Sequence, residues 1–435
     1  MKNRFKDFLK TKIRRIRDVR EEIEEDDIRD MAIMEEEEQV EVHPLKRLLR
    51  SGEDKGNVWE KIKEHRRMLR NRWVIAGLLI AVAVIAGSVY VHFHVSRTYS
   101  VQSSEKRNDI NGTQYEKFGK NLLKYSSDGI SCLNQKGSVL WSSTFSIQSP
   151  LLDICGTTAV VAEKNGTSVY IFNSEGQLGQ FKTLLPIEKI RVAEQGVVAA
   201  VLEDGNNTWI NLYDSEGELI AENKTSLTES GYPLDIALSP DGMKLMTSFL
   251  AVGKDQVQTN VAFYNFDSVG KANANNLVNT VSYENGTIPE VFFADNNTSV
   301  ALRADGFSIY KGKEVPEENV NVTFEEEILS VFYDVEHIGF VFQSDEKEHK
   351  YMLRIYNVNG RRTAQTYFDF AYKQICMEEG KILMIQEGAA AVYSKGGRLR
   401  AEITYEKPIQ DALALGGFSK YMILTQESTD LIRLR

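Results

Sequence analysis

The chain has 435 residues, 42% of them apolar, enough for one large folded domain with additional segments. Its formal net charge of −10 is unevenly spread: residues 1–72 carry 20 Lys/Arg and 18 Asp/Glu, which leaves 32 and 44 for the remainder. So acidic a domain excludes a nucleic-acid partner, because phosphate binding requires a basic surface; three cysteines exclude a disulfide framework and leave room for one pair at most.

The chain opens with a basic stretch, "MKNRFKDFLKTKIRRIRDVR", whose Phe5, Leu9, Ile13, Ile16 and Ile23 fall near a helical stripe. The sign then inverts in "EEIEEDDIRD" and "MEEEEQVE". Residues 1–72 are predicted to form a charged arm, partly helical or disordered. Two readings stay open: docking on anionic lipid or a partner, or a solvated arm. Pro44, Gly52 and Gly56 mark residues 42–58 as linker.

Residues 73–93, "WVIAGLLIAVAVIAGSVYVHF", hold no Lys, Arg, Asp or Glu, and their length suffices for roughly 30 Å of hydrocarbon. Trp73, Tyr90 and Phe93 stand near the ends, where interfacial aromatics belong. A single transmembrane helix is predicted. Lys61, Lys63, Arg66, Arg67, Arg70 and Arg72 precede it, so the positive-inside rule puts the N-terminus in the cytoplasm and the C-terminal domain outside the cell. A cleaved signal peptide fits poorly, since 72 residues is too long for its basic leader. Gly77/Ala81 and Ala83/Gly87 form small-xxx-small pairs, which suit close helix packing but are also common in any span. Residues 94–110 read as a stalk.

Beyond the stalk one phrase recurs: "CLNQKGSVL", "IFNSEGQL", "LYDSEGELI", "IYNVNGRR" and "VYSKGGRLR", with "AFYNFDSVG" and "SIYKGKEV" as weaker copies. The apolar residue before each turn is Leu133, Phe172, Tyr213, Tyr264, Tyr310, Tyr356, Tyr393 and, by position, Ile432. Most of these spacings lie near 40–45 residues, the period of propeller blades. Pro150, Pro186, Pro233, Pro289 and Pro408 each open an apolar run, and proline fits a strand's first residue. Each unit therefore reads as strand A after proline, an apolar strand B, strand C ending in the aromatic phrase, a glycine turn and an outer strand D. Asn-Gly and Asp-Gly in "KNGTS", "EDGNN" and "ADG" suit tight B–C turns. The predicted fold is all-β, an eight-bladed β-propeller over residues 111–435, with seven blades plus an irregular first unit as the alternative. The chain stops after the eighth strand C, and "RTYSVQSS" (97–104) is predicted to close the ring as the missing strand D.

"YEKFGKNLLKYSSDGISCLNQKGSVLW", "LLPIEKIRVAEQGVVAAVLEDG" and "SGYPLDIALSPDGMKL" resemble the bacterial membrane-anchored family called domain of unknown function 5711, over nearly all of residues 70–435. The resemblance implies a bacterial surface protein with a propeller ectodomain, and no activity. "NQKGSVLW" is similar to the Gly-x-x-x-Trp motif of quinoprotein-like blades, and "SPDG" (239–242) resembles the turn of TolB-like and WD-type blades. The Trp motif occurs once and the Gly-His…Trp-Asp pairing is absent.

Chemistry is sparse. His337 and His349, the two histidines beyond residue 94, have no Cys or His partner at ligand spacing. Walker, GxSxG, HExxH and EF-hand patterns are missing. "DGNN" and "ADNN" offer oxygen donors for calcium, but turn chemistry explains them better. Asn111, Asn165, Asn206, Asn223, Asn285, Asn296 and Asn321 begin Asn-x-Thr triplets, which read as glycosylation acceptors or as turns leading into strands. Cys132, Cys155 and Cys376 lie in or beside apolar runs and read as small apolar residues. No cofactor, metal or catalytic residue is expected.

Binding is expected on the D–A connectors, at Ser149, Pro150, Leu185, Pro186, Tyr232 and Pro233. The function expected is a non-catalytic, membrane-anchored scaffold for a protein of the cell envelope. A ligand or glycan sensor and a quinoprotein-like enzyme are the alternatives.

Overall fold

The computed structural model describes residues 67–68, 74–84, 86–87 and 93–435, apart from 108, 110, 111, 206, 228, 229, 253–256, 285 and 418. The charged arm apart from residues 67–68, Trp73, Tyr90 and three of the Asn-x-Thr asparagines (Asn111, Asn206, Asn285) lie outside the described residues. Residues 1–93 and 94–435 form two compact units. In the first, residues 74–84 are helical, and Val74, Ile75, Leu78, Leu79, Ile80, Val82 and Val84 are exposed. Among the described residues no helix is long and apolar enough to cross a membrane.

The second unit is built from eight four-stranded antiparallel sheets. Blade 1 holds strands Gln114–Phe118 (A), Asn121–Ser126 (B), Gly129–Leu133 (C) and Val139–Thr144 (D). Blades 2 to 7 repeat this meander over 150–182, 187–226, 232–284, 290–323, 328–368 and 374–404. Blade 8 takes A, B and C from Ile409–Ala414, Lys420–Thr425 and Ser428–Leu434, and its outer strand from Tyr99–Lys106 at the other end of the chain. The fold is thus the eight-bladed form, and the closing strand sits two residues later than the spacing predicts. All eight marker residues, from Leu133 to Ile432, fall on strands C and are buried. Pro150 begins its strand A, Pro233 is the second residue of its own, and Pro186, Pro289 and Pro408 stand one residue before theirs.

The recurrent phrase has a physical explanation. The residue after the marker is Asn or Asp in blades 1–4 and 6, and in blades 1, 3 and 6 its side-chain oxygen accepts two backbone N–H groups of the turn. Asn134 accepts from Lys136 and Ser138, Asp214 from Glu216 and Glu218, and Asn357 from Asn359 and Arg361, at 2.8–3.1 Å. The turn glycine has positive φ and packs against the preceding blade. A Cβ on Gly217 (φ 88°) would meet Phe181 at 2.4 Å, and one on Gly360 (φ 78°) would meet Val320 at 2.4 Å. Beside each marker, strand D carries one extra residue. Leu212 pairs with Ala221 but Tyr213 with Leu219, and the same slip recurs in every blade, including the closing pair at Ile432. Such a bulge adds twist at the outer edge of a blade.

The apolar core lies between blades. Eight clusters of buried residues each join one blade to the next. The cluster between blades 8 and 1 packs Leu413, Met422 and Leu424 on Tyr115, Leu122 and Leu133. A polar staple reinforces closure. Buried Asp430, on strand C of blade 8, accepts from Tyr405 Oη at 2.5 Å, from Ser428 Oγ at 3.0 Å and from Ser104 Oγ on the N-terminal strand. Burial pushes the Asp430 carboxyl up, but these three donors outweigh it and hold the pKa below the ordinary value. Its contribution to stability is therefore present above the ordinary carboxylate range and lost on acidification. Asp430→Ala is expected to cost about 2–3 kcal/mol by leaving buried donors unpaired, against about 1 kcal/mol for Asp214→Ala in an exposed turn. Denaturant melts of the two variants check this. The loss at Asp430 narrows below about pH 4; equal losses in the two variants would show that the staple does not hold the ring.

Candidate functional site

Antiparallel meanders put all D–A connectors and B–C turns at one end of the ring, and all A–B and C–D turns at the other. The six sequence-predicted residues lie on or next to the D–A connectors entering blades 2, 3 and 4. Their backbone is held by the neighbouring B–C turns. Lys164 N donates to the Ser149 carbonyl at 2.8 Å and Glu203 N to the Pro186 carbonyl at 3.0 Å. Ser149 and Pro186 are exposed, Pro150, Leu185 and Tyr232 half-buried, and Pro233 is buried. Tyr232 Oη donates to Glu203 at 3.4 Å; burial and the charges of Glu188 and Glu203 push its pKa up. Leu184, next to two of the expected residues, is 96% exposed, and Leu227 on the next connector is 47% exposed. A Leu-Leu pair before proline gives no sequence signal for which leucine turns outward.

The strands A surround the axis, and sequence reasoning missed what they carry. Asp153 (blade 2) accepts from Val192 N of blade 3 at 2.7 Å, Asp235 (blade 4) from Val291 N of blade 5 at 3.0 Å, and Glu378 (blade 7) from Ala414 N of blade 8 at 2.7 Å. Each carboxylate thus ties one inner strand to the next. Arg191 of blade 3 bridges Asp235 at 2.9 Å and lies 3.9 Å from Asp153. Burial opposes its charge, but Asp235 and Asp153 hold its pKa above the ordinary value. Tyr333 Oη donates to Glu290 at 2.5 Å on the same side. The signal was an Asp two or three residues after proline, in "PLLDI", "PLDIA" and "PIQDA".

On the other side of the axis, blades 7, 8 and 1 contribute Glu378, Asp411 and Glu116. Burial pushes the carboxyls of Glu378 and Asp411 up. Desolvation, then the charges of Asp411 and Glu378, push Glu116 up to about 7. The Cys376 thiol is raised by the same surroundings, chiefly by burial, and an unactivated thiol is a poor nucleophile. Among the described residues no cluster of His, Cys, Asp and Glu is arranged to hold a metal ion.

The Asn-x-Thr asparagines and acidic turns have local structural roles. Asn165 holds positive φ in a B–C turn, Asn223 is buried, Asn296 accepts from Asp241 N, and Asn321 accepts from Arg303. "ADNN" is a turn in which Asp295 accepts from Asn297 N at 2.7 Å. Cys132, Cys155 and Cys376 are free. His337 is buried beside Asp334, 3.4 Å from its carboxylate. His349 pairs with Asp369 at 2.9 Å and stacks on Tyr367. This pair stands at one end of a cleft of about 650 Å³ between the outer parts of blades 6 and 7, lined also by Gln365, Arg398 and Glu402. Trp141, the lone quinoprotein-like tryptophan, stacks on Phe172 and donates to the Ser174 carbonyl at 3.2 Å, docking blade 1 on blade 2. At the matching place in blade 2 stands Gly179, where a Cβ would lie 2.0 Å from the Ser215 carbonyl oxygen. The close approach of blade 3 leaves no room for a second tryptophan.

A closed eight-bladed propeller with a connector face and an acidic axis defines the class. Residues 92–434 match the family of unknown function DUF5711, and the chain belongs to that family. No curated protein matches the sequence. Among solved structures the chain is similar to BamB from Moraxella catarrhalis (9% identity, TM-score 0.46, 78% of this chain and 100% of that one). It is also similar to a eukaryotic initiation factor (12%, 0.48, 78% and 88%) and to hydrazine synthase of Kuenenia stuttgartiensis (11%, 0.43, 69% and 100%). At these values no role transfers from any of the three.

Glu116 supplies the test of the axial site. Its raised pKa means that the folded state binds a proton more readily than the unfolded chain. The associated stability is full below the ordinary carboxylate pKa and is lost as pH rises through about 7. Its side chain still reaches solvent, so the effect is smaller than the shift alone suggests. Melting temperature against pH is expected to be flatter for Glu116→Gln than for the parent between pH 5 and 8; parallel curves would show that the axis does not retain a proton.

Proposed function

We propose that the protein is a non-catalytic, membrane-anchored scaffold, with its N-terminus in the cytoplasm and the propeller outside the cell, binding a protein of the cell envelope on its connector face. The apolar run 73–93 with its preceding basic residues supports the anchor and the orientation. The observation that carries the binding role is the pair Leu184 and Leu227, exposed on neighbouring connectors on a backbone pinned by hydrogen bonds. Exposed apolar side chains on a rigid frame can be buried by a partner with little loss of conformational entropy. The tether adds to this by raising the effective concentration of membrane neighbours. No cofactor or metal enters the reading.

A second reading rests on the cleft between blades 6 and 7. Its volume is that of a small-ligand site, and the stacked His349–Tyr367 pair beside Asp369, Gln365 and Glu402 offers a ring face and planar polar groups to a sugar. This reading expects a rise in melting temperature with soluble wall fragments.

Crosslinked pull-down of the full-length protein from its own membranes tests the scaffold, with the anchored span lacking the propeller as control. Specific envelope proteins are expected to depend on the propeller and to fall about tenfold with Leu184→Asp/Leu227→Asp, a loss of about 1.4 kcal/mol. Recovery of the same proteins by the span alone, or background only at good yield, would remove the scaffold reading.

A further inference from the structure

The bulge beside each marker puts two strand-D residues at the C–D-turn end of the outer edge of every blade. These are the residue that pairs with the marker and the extra residue after it. In blades 5 and 6 they are Glu318/Asn319 and Arg362/Thr363. Such polar side chains are the ordinary defence of an exposed sheet edge. In blades 8 and 1–4 the same places hold Val101, Val139, Leu140, Leu178, Leu219 and Leu277, with Ile220 beside Leu219. These side chains are exposed, Val139 at 61% and Leu219 at 51%. Single exposed leucines are unremarkable. With Gln177 and Gln102 as the polar members of their pairs, at least one of the two places is apolar in each of five consecutive blades; together they form an arc over more than half of the rim, and such an arc marks an interaction surface.

The path of the chain says what covers it. Ser96 lies alongside Ala401 on the outer edge of blade 7: its N–H donates to the Arg400 carbonyl at 2.9 Å, and its carbonyl accepts from Glu402 N at 3.0 Å. The chain then crosses to blade 8, where Arg435 N donates to the Thr98 carbonyl and Tyr99 pairs with Leu434. Leu434 ends the last strand C, so the chain comes into the propeller at the C–D-turn end, the end that carries the arc. Two residues separate Phe93 from Ser96, a reach of at most about 10 Å. A span at residues 73–93 is therefore joined to the propeller by a short connection at this end.

We propose that the C–D-turn rim of blades 8 and 1–4 rests on the lipid bilayer, with its apolar side chains in the boundary between headgroups and acyl chains. The inference relies on residues 73–93 spanning the membrane. It points the connector face, with Leu184, Leu227 and Tyr232, away from the lipid. Lys136, Asp214 and Glu216 on the rim turns mix both signs, so apolar burial and not charge is the attraction, and high salt leaves the contact intact.

The test uses the full-length chain in phosphatidylcholine vesicles carrying acyl chains with a nitroxide quencher. A small fluorophore is placed on Leu219→Cys, on Leu140→Cys, or on Leu184→Cys of the opposite face, and labelled parent protein corrects for the native cysteines. The expected result is quenching several-fold stronger at 219 and 140 than at 184, unchanged in high salt and lost at 140 when Leu219→Glu/Ile220→Glu is added. Equal, weak quenching at all three sites in protein that resists alkaline carbonate overturns the rim contact and leaves the span standing. Protein stripped from the vesicles by carbonate overturns the span, and the rim contact with it. Shielding of the rim from both lipid-borne and aqueous quenchers, growing with protein concentration, assigns the arc to a second copy of the chain and overturns the lipid contact.

Discussion

A propeller blade has two apolar faces and no interior, and everything else here depends on that. A four-stranded sheet such as 150–182 buries Val160, Ala162 and Ile171 on blade 3 and Ala159, Val161 and Phe172 on blade 1. Remove either neighbour and half of those side chains meet water. A row of such sheets is unstable at both ends. A ring has no ends, so closing it turns eight separate interfaces into one mutually dependent structure. That is why the strand completing blade 8 comes from the start of the propeller sequence, and why Asp430 collects donors from Ser104, Tyr405 and Ser428 at the seam.

Closure also explains where the polar groups go. The inner strands approach one another around the axis, where apolar side chains cannot fill an eight-sided opening. Asp153, Asp235 and Glu378 span the gaps by accepting backbone N–H groups from the following blade. Each is a buried or half-buried acid whose desolvation is offset by a fixed donor, the condition under which buried carboxylates are tolerated. Outside, the wider spacing of the outer strands is managed by the bulge and by the turn glycines that let one blade's C–D turn sit on the strand D before it.

Much of this was legible in the sequence because the inter-blade core repeats. Leu133, Phe172, Tyr213, Tyr264, Tyr310, Tyr356 and Tyr393 recur because each faces that core, and all but Tyr310 precede an Asn, Asp or Ser whose side chain accepts a backbone N–H of the turn. What stayed hidden is what several blades build together. Asp153, Asp235 and Asp411 look like isolated acids in apolar runs until the ring brings their strands to one axis. The outward turn of Leu184 rather than Leu185 depends on the path of a connector, and the apolar arc on bulges whose loops differ in length from blade to blade, up to the helical turn Ser268–Lys271 in blade 4.

The ring is eightfold in backbone and not in chemistry. Around the axis, blades 2 to 5 share Arg191, so Asp153, Asp235 and Glu290 lie near a fixed positive charge. Blades 7, 8 and 1 place Glu378, Asp411 and Glu116 together without such a hub, and the result is a carboxyl on Glu116 that holds its proton to about pH 7. The rim is divided in a different way, apolar in blades 8 and 1–4 and charged in 5 and 6. Repeat packing requires neither division, since both leave the inter-blade clusters untouched. Residues free of the packing constraint are where a repeat protein can differ from blade to blade, and here they mark a lined axis and one sector of the rim as separate surfaces on a single rigid frame.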